Sequence, residues 1–396
     1  MTDVGATISI RDCARVPWGV IVVGAGPAGS VCATGLARMG VRTLLIDRSR
    51  FPRPKVCGGC LSGAADEMMR AHGLNEGPAW RWTFDGVCVS DGRRRATLWV
   101  PEGRVVRRDE FDASLVRMAI EAGAAFLPEA SAVGSWLETA GRAVLVRMAG
   151  EDVTLQAKCV VVAAGLAGTA LASQCGIETE LARSSRMGVG AIVRDESSAY
   201  ADRTVFMAVG ASGYAGVVRV GDSHLIVAGA IDPAAMKMSG SAGAAVGALL
   251  GASGGARIEG LASARMLGTG RLTRRVRRVA GERAFAIGDA AGYVEPFTGE
   301  GMTWAIETGL GAVALAARAA ERWDDRLANE WVSRHRQRIA VRHRACRAVA
   351  GLLRMPVLTS MAIGVLDAAP GMVRPLTSRM HSVGGLRVAA GLDGAS

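Results

Sequence analysis

Two cysteines three residues apart, Cys57 and Cys60, are the first side chains in this sequence that could carry chemistry. A CxxC pair can form half of a zinc site or a redox couple. No second CxxC and no H-x₃₋₅-H pattern follows, and His335 and His343 stand eight residues apart on what is predicted to be one helix. We therefore expect no metal site. Eight cysteines in a large chain without an export signal favour reduced thiols in a cytosol.

A glycine-rich turn near the start of the chain is the second candidate. Gly24, Gly26 and Gly29 form a G-x-G-x-x-G pattern, and Asp47 follows eighteen residues later. The first glycine permits a tight turn, the second lets the backbone approach a pyrophosphate, and the third allows close packing of helix on strand. The acid can accept a hydrogen bond from a ribose hydroxyl. The pattern predicts a dinucleotide site, for either NAD or FAD.

The elements around this turn fit that prediction. The β-branched run 20–23 is typical of a strand that is buried on both faces, and an Ala-rich helix follows it through Met39. Gly40 is placed to end the helix, and a second strand runs from Val41 to Ile46. The helix N-terminus would offer free N–H groups to an anion.

A second strand-to-helix junction lies near residue 290. The buried-strand pattern 284–287 leads into Gly288 and Asp289, then into Pro296, Gly299 and Gly301, and a helix is predicted from about Thr303 to Arg322. Asp289 could hold sugar hydroxyls, and the helix N-terminus could face an electron-rich ring edge. An ordinary β–α turn would have the same pattern.

Together these two motifs resemble the paired signature of single-lobe FAD-dependent monooxygenases and their relatives, the geranylgeranyl reductases, over most of residues 18–325. The resemblance implies FAD as cofactor, with Asp47 at the adenosine ribose and Asp289 at the ribityl chain. It also implies an α/β fold. A Rossmann-like FAD-binding lobe would be interleaved with a β-sheet substrate lobe and followed by C-terminal helices.

Two further segments are similar to that family. Arg108 opens an R-x-x-F-D-x-x-L segment whose arginine reaches the cofactor in the family; the alternative is a surface arginine beside a helix that is capped by Asp109 or Asp112. The K-x-C-G-G loop contains Lys55, Cys57 and Gly58, and the resemblance places it beside the isoalloxazine ring. Cys57 is then a candidate active-site residue, and Cys60 is incidental.

The sequence also departs from the family. Ala164 stands where the family has an aspartate that is thought to couple flavin and nicotinamide binding, and segment 213–220 lacks the tryptophan and proline of the reductases and halogenases. The missing tryptophan and proline exclude halogenation and weaken prenyl reduction, whereas the alanine concerns how the reductant is delivered. No second dinucleotide motif is present, since segment 240–255 fits a small-residue helix. We therefore expect NADPH or NADH to bind only transiently.

The predicted organisation is discontinuous. Residues 16–80, 105–175 and 271–325 would form the FAD-binding lobe, and residues 81–104 and 176–270 the substrate-binding sheet lobe. Residues 326–396 would form a C-terminal helical segment. This segment begins with an arginine-rich helix from Leu327 to about Arg354 whose predicted apolar positions are Trp331, Ile339, Ala345, Val349 and Leu352.

Charge and hydropathy limit the partners. The formal net charge is +11, but only three of the 47 basic residues are lysines, which indicates an arginine bias of the genome rather than a nucleic-acid surface. No run of residues is long and apolar enough for a spanning helix. We expect a cytoplasmic protein that binds a small lipophilic substrate; peripheral membrane contact through the arginine-rich helix is an alternative.

The leading functional prediction is an NAD(P)H-consuming monooxygenase. It would hydroxylate a lipophilic, electron-rich aromatic molecule of the phenol or alkylresorcinol type through a flavin hydroperoxide. No catalytic base can be assigned, although His224 and Tyr214 lie in predicted strands. One alternative is a prenyl ene-reductase with Cys57 near the flavin, and another is a non-enzymatic basic flavoprotein.

Overall fold

The computed structural model describes residues 3–75, 80–182, 184–295, 297 and 299–369. Its strands in chain order are β1 (Trp18–Val23), β2 (Thr43–Ile46), β3 (Cys60–Leu61), β4 (Trp82–Ser90), β5 (Arg95–Val105), β6 (Ala125–Leu127), β7 (Ser131–Glu138), β8 (Gly141–Met148), β9 (Glu151–Val162), β10 (Glu178–Leu181), β11 (Met187–Arg194), β12 (Thr204–Gly210), β13 (Gly213–Arg219), β14 (His224–Ile231), β15 (Leu267–Arg271), β16 (Arg274–Arg278), β17 (Ala280–Gly281) and β18 (Ala284–Ala286). Its α-helices are α1 (Ile10–Cys13), α2 (Pro27–Arg38), α3 (Gly63–Ala71), α4 (Arg108–Glu121), α5 (Thr169–Gln174), α6 (Pro233–Met238), α7 (Ala242–Ala252), α8 (Gly301–Glu321), α9 (Asp325–Leu352) and α10 (Pro356–Ala368).

The first large sheet has the order β17-β18-β9-β1-β2-β6, and the β7–β8 hairpin extends it from β9. Strands β18, β9, β1, β2 and β6 are parallel. Residues 20–23 are buried, as their β-branched run predicts, because helices cover both faces of a parallel sheet. The strand–helix–strand unit at the start of the chain and the predicted α/β fold class are confirmed.

Helix α2 ends where the sequence predicts. Gly40 has a φ of 76°, in the left-handed region. The Gly40 N–H donates to the carbonyl of Ala37, and the Val41 N–H donates to that of Leu36. This pair of bonds is a Schellman motif, which reverses the chain into β2.

The second large sheet has the order β15-β11-β14-β13-β12-β4-β5-β3 and is antiparallel except for the β12–β4 pair. Helix α7, the small-residue helix predicted within segment 240–255, packs on one face through Val246 and Leu250. The opposite face borders a large cavity. β3 joins this sheet by pairing with β5, although the predicted boundaries place residues 60 and 61 in the first lobe.

The C-terminal part is built from α8, α9 and α10. Helix α9 buries Trp331, Ile339 and Cys346, and also both of its histidines, His335 and His343. The predicted apolar position 345 is wrong, because Ala345 is exposed and its neighbour Cys346 faces inward. In the described part of the chain, no single helix is long and apolar enough to cross a membrane, and only α9 and α10 together, bent by 111°, reach that length and composition.

Candidate active site

A cavity of about 1490 Å³ lies between the two large sheets. It runs from the glycine turn after β1, past the loop that carries Cys57, to the inner face of α10. Typical small-molecule pockets measure about 300–1,000 Å³. The volume therefore allows a dinucleotide and a second molecule to be bound together.

The turn between β1 and α2 is shaped for a phosphate. A Cβ atom at Gly24, whose φ is 107°, would overlap the Ala163 carbonyl, and one at Gly29 would overlap the Gly24 carbonyl. At Gly26, by contrast, the nearest atom to an added Cβ is Arg53 Nη2 at 3.7 Å, so the backbone there faces open cavity. Because α2 begins at the next residue, its free N–H groups can meet an anion at this point.

Asp47 is held in a fixed orientation at the end of β2. Its Oδ2 accepts a hydrogen bond of 2.8 Å from the Ala25 N–H, and its Oδ1 accepts one of 2.8 Å from the Ser49 N–H. Each carboxylate oxygen can still accept a second bond. Asp47 lines the cavity, so its carboxylate oxygens can accept hydrogen bonds from ribose hydroxyls. Its role in cofactor binding stays a prediction.

Arg108 is the first residue of α4 and forms a buried ion pair. Its Nε and Nη2 each lie 2.8 Å from a carboxylate oxygen of Asp112, and Arg53 Nη2 lies 3.3 Å from the same carboxylate. Burial alone would raise the pKa of Asp112, but the charges of Arg108 and Arg53 hold it below its usual value. The alternative is wrong, because the cap position is Arg107 rather than Asp109 or Asp112, and Arg108 is buried rather than on the surface.

The same guanidinium contacts the thiol of Cys57. Gly58 is exposed and lines the cavity, and an added Cβ there would meet no atom within 4 Å. The residue that must be glycine is Gly59, with a φ of 72° and Ile226 Cδ1 at 2.5 Å from an added Cβ. Burial raises the pKa of Cys60 to about 12, so this thiol stays protonated.

Lys55 and Asp289 meet at one point of the cavity wall. A Cβ atom at Gly165 would lie 3.7 Å from Lys55 Nζ and 3.9 Å from Asp289 Oδ2. Burial and the positive charge of Arg108 lower the pKa of Lys55, whereas Asp289 opposes that shift. Gly288, which has a φ of 59°, donates its N–H to Thr308 Oγ1 at 2.8 Å and turns Asp289 towards the cavity.

The second glycine turn leads directly into α8. Gly299 has a φ of 73°, and Gly301 is the first residue of the helix, two residues before the predicted start. Both glycines line the cavity, so the N-terminus of α8 points into it. Pro296, the third predicted residue of this turn, lies outside the described residues.

Tyr214 lies where the polar and apolar parts of the cavity meet. Its ring packs edge-on against Phe297 at 5.2 Å between centroids, and the guanidinium of fully buried Arg186 lies 5.7 Å from the ring. Burial, and then the charge of Glu295, raise the pKa of Tyr214 well above its usual value. The phenol of Tyr214 therefore stays protonated at neutral pH. His224 is bonded to Ser223 at the start of β14, away from the cavity lining.

Beyond Tyr214 the cavity is apolar. Its walls come from the second sheet, the end of α9 and the inner face of α10, and include Val87, Leu98, Met207, Val218, Leu353 and Ile363. Carbon-lined walls of this kind bind hydrocarbon and exclude water. The sequence did not predict this lining, because α10 was not assigned as an element.

Comparisons with known proteins agree with this geometry. A family model described as FAD binding domain matches residues 18–340. The chain is 30% identical over 336 residues to menaquinone reductase of Mycobacterium tuberculosis, covering 79% of this chain and 80% of that protein. It is 26% identical over 318 residues to digeranylgeranylglycerophospholipid reductase 2 of Methanosphaera stadtmanae, covering 77% and 79%. Among solved structures, p-nitrophenol 4-monooxygenase of Pseudomonas putida has the same fold, with a TM-score of 0.76 and 16% identity over 94% of this chain and 99% of that chain.

Proposed function

The chain belongs to the FAD binding domain family and is a FAD-dependent oxidoreductase, and from that premise we propose that it reduces a carbon–carbon double bond in a prenyl lipid or a prenylated quinone. Two relatives that match most of its length are named as reductases of menaquinone and of a digeranylgeranyl lipid. Family membership removes the non-enzymatic interpretation.

The apolar part of the cavity is the observation that carries this proposal. This part continues without a break from the glycine turn after β1 and the Cys57 loop, and it ends at α10. Its walls are aliphatic. An extended hydrocarbon chain fits such a space better than a compact polar substrate does. The K-x-C-G-G loop is typical of the reductase branch. It lines the cavity between the glycine turn after β1 and the apolar part.

The chain's own groups suit FAD. The glycine turn and the α2 N-terminus would hold the phosphates, Asp47 the adenosine ribose and Asp289 the ribityl chain. Bound FAD, once reduced by NADPH or NADH, would supply a hydride to one carbon of the double bond. The Gly299–Gly301 turn would present backbone and the positive end of α8 to the ring system, where negative charge is stabilised.

The other carbon of the double bond needs a proton. We assign this role to Tyr214 Oη, because the side chain lines the cavity and its phenol carries a proton at neutral pH. Cys57 also lines the cavity, and its thiol interacts with the Arg108 guanidinium. The apolar walls exclude bulk water, so a side chain is the natural donor.

NADPH or NADH as the reductant is part of the proposal. Ala164 lines the cavity beside Gly165 at the position where the family has an aspartate, so the nicotinamide would bind without that carboxylate. NADPH or NADH would bind, reduce the flavin and dissociate.

Hydroxylation of a lipophilic phenol or alkylresorcinol is the second candidate. The strand β13 favours it, because it carries neither the tryptophan nor the proline of the reductases, and the Tyr214–Phe297 pair would contact an aromatic ring. The likeness to p-nitrophenol 4-monooxygenase shows the fold alone.

Anaerobic single turnover separates the candidates. The FAD-loaded protein is reduced with NADPH and mixed with a geranylgeranyl lipid, menaquinone or an alkylresorcinol, and the products are analysed by mass spectrometry. A gain of two hydrogens without dioxygen is the expected result for an isoprenoid. A gain of one oxygen atom that requires dioxygen would establish hydroxylation instead. If no substrate class changes the rate of flavin reoxidation, both candidates are excluded.

A further inference from the structure

Helix α10 is apolar on both faces. Its inner face buries Thr359 and Ile363, which line the cavity. On its outer face Val357 is 68% exposed, Met361 59% and Val365 58%. These three residues are spaced by four and therefore form one stripe along the helix. An outer face of a surface helix is normally polar, so this stripe calls for an apolar environment.

The cavity opens at this stripe. Val365 is 58% exposed and at the same time lines the cavity, as do Ala362 and Leu366 of the same helix. A molecule that enters here passes directly from the surroundings of α10 into the aliphatic part of the cavity. One opening of the cavity therefore lies beside the apolar stripe.

Basic side chains lie beside the helix on one edge. The turn between β4 and β5 contacts α10, with Arg94 against Gly364 and Asp91 hydrogen-bonded to Ser360. Arg93 and Arg94 are exposed in this turn. Their positive charge would therefore lie next to any surface that binds the outer face of α10.

A second basic group precedes the helix. Burial, and then the positive charges of Arg275 and Arg344, lower the pKa of Arg347, so both of these guanidinium groups lie near that of Arg347. The structure shows no ion pair between any of the three and a carboxylate in the part of the chain it describes. At 1.5 Å per residue, Arg347 lies roughly 8 Å along α9 from its last residue, Leu352, and α10 begins four residues later. Unneutralised arginines near an apolar stripe suit an anionic surface.

We propose that the outer face of α10, formed by Val357, Leu358, Met361 and Val365, inserts into the interface of an anionic lipid bilayer, with the arginines of the β4–β5 turn and of α9 against the lipid headgroups. The cavity mouth then faces the hydrocarbon. Apolar side chains and basic flanks together are the combination that holds a helix in the plane of a membrane interface. The uptake of substrate from the bilayer rests on the proposed function, whereas the binding itself does not.

Vesicle flotation of the full FAD-loaded chain tests this proposal without turnover. Vesicles of phosphatidylcholine alone are compared with vesicles that also contain phosphatidylglycerol. We expect flotation with the anionic vesicles and its weakening as salt is raised. The absence of flotation with anionic vesicles at low salt would overturn the proposal.

Matched variants locate the surface. V357S/M361S should lower the vesicle partition coefficient at least ten-fold, whereas M39S/M238S, which removes two exposed methionines elsewhere, 58% and 83% exposed, should leave it unchanged. R344Q/R347Q should abolish the preference for phosphatidylglycerol. Flavin content and the thermal midpoint report folding. If V357S/M361S and M39S/M238S lower the vesicle partition coefficient equally, the assignment of the surface to α10 is overturned.

A second copy of the chain is the competing occupant. Sedimentation equilibrium of the wild type and of V357S/M361S would reveal it as a dimer that the substitutions dissociate. A dimer of that kind, together with no vesicle binding, would overturn the proposal. Activity on a detergent-dispersed substrate is measured separately, so a failure of the proposed reaction is distinguished from a failure of membrane binding.

Discussion

Arg108 and Asp112 form a two-pronged ion pair one helical turn apart, with both hydrogen bonds at 2.8 Å and the Asp112 carboxylate fully buried. The pair lies under the Cys57 loop, because Arg108 also contacts the Cys57 thiol. It therefore lies next to a predicted active-site residue, whose Sγ also accepts a hydrogen bond of 3.4 Å from the Gly59 N–H of its own loop.

Loss of the Asp112 carboxylate should lower the free energy of unfolding. In D112N the buried charges of Arg108 and Arg53 lose their partner, and we expect the free energy of unfolding to fall by about 3–5 kcal/mol. D109N is the matched control, since Asp109 pairs with the half-exposed Arg107 and should cost at most about 1 kcal/mol. Urea unfolding followed by circular dichroism measures both. Equal, small losses would show that the buried pair does not stabilise α4.

The two buried histidines of α9 predict an acid sensitivity. Burial lowers the pKa of His335 to about 4, and burial with the charges of His335 and Arg347 lowers that of His343 to about 3. Below pH ~6.5 the unfolded chain binds these protons and the folded chain does not. Stability should therefore be complete above that pH and fall as the pH drops towards 4, by about 3 kcal/mol per histidine.

A histidine replacement checks this origin. H343F should flatten the pH dependence of the urea midpoint between pH 6.5 and 4, because one of the two protons is no longer taken up on unfolding. H224Q changes a partly buried histidine outside the cluster and should keep the wild-type slope. An unchanged slope in H343F would assign the acid sensitivity to other groups.

Two substitutions in the glycine turn should have separate effects, one on the stability of the fold and the other on FAD binding. In G29A the new methyl group overlaps the Gly24 carbonyl, so we expect a lower thermal midpoint. In G26A the methyl group has room but occupies the place of the phosphate, so the midpoint of the flavin-free protein should persist while FAD affinity falls at least ten-fold. Calorimetry and flavin fluorescence measure the two effects. Full flavin uptake by G26A would contradict a phosphate position at this turn.

Tyr214 should control the chemical step. Y214F removes the proposed proton donor, and we expect the single-turnover rate with an isoprenoid to fall by a factor of about 10²–10⁴ while flavin reduction by NADPH is unchanged. Y200F is the control, because Tyr200 donates to the Ala256 carbonyl away from the cavity and packs on the α7 side of the sheet. If Y214F keeps the wild-type rate, another group donates the proton.

The sequence predicts best what is local. The glycine turn, Asp47 and Gly288–Asp289 could be assigned because their spacing fixes a strand, a turn and a helix N-terminus, and the structure brings all of them to one cavity. The ion pair of Arg108 could also have been predicted, because Asp112 stands four residues later, which is the spacing of a helical ion pair. The alternative of a capping aspartate obscured it.

Tertiary contacts could not be predicted in this way. Arg186, Glu295 and Tyr214 come from three separate segments, and only the folded sheet places them together. The need for glycine at Gly59 depends on Ile226, 167 positions later. The direction of α10 depends on the bend after α9, so its two apolar faces could not be assigned from hydropathy alone.

The interleaving of the two sheets bears on how the protein is made. The first sheet takes strands from residues 18–46, 125–162 and 280–286, and most of the second lies between those stretches. A nascent chain cannot complete its first sheet until β18 has left the ribosome, when nearly three quarters of the chain exists. Such distant pairings slow folding. Neither half of the polypeptide can therefore be expected to fold as a fragment, and the nascent strands that await their neighbours are candidates for chaperone binding.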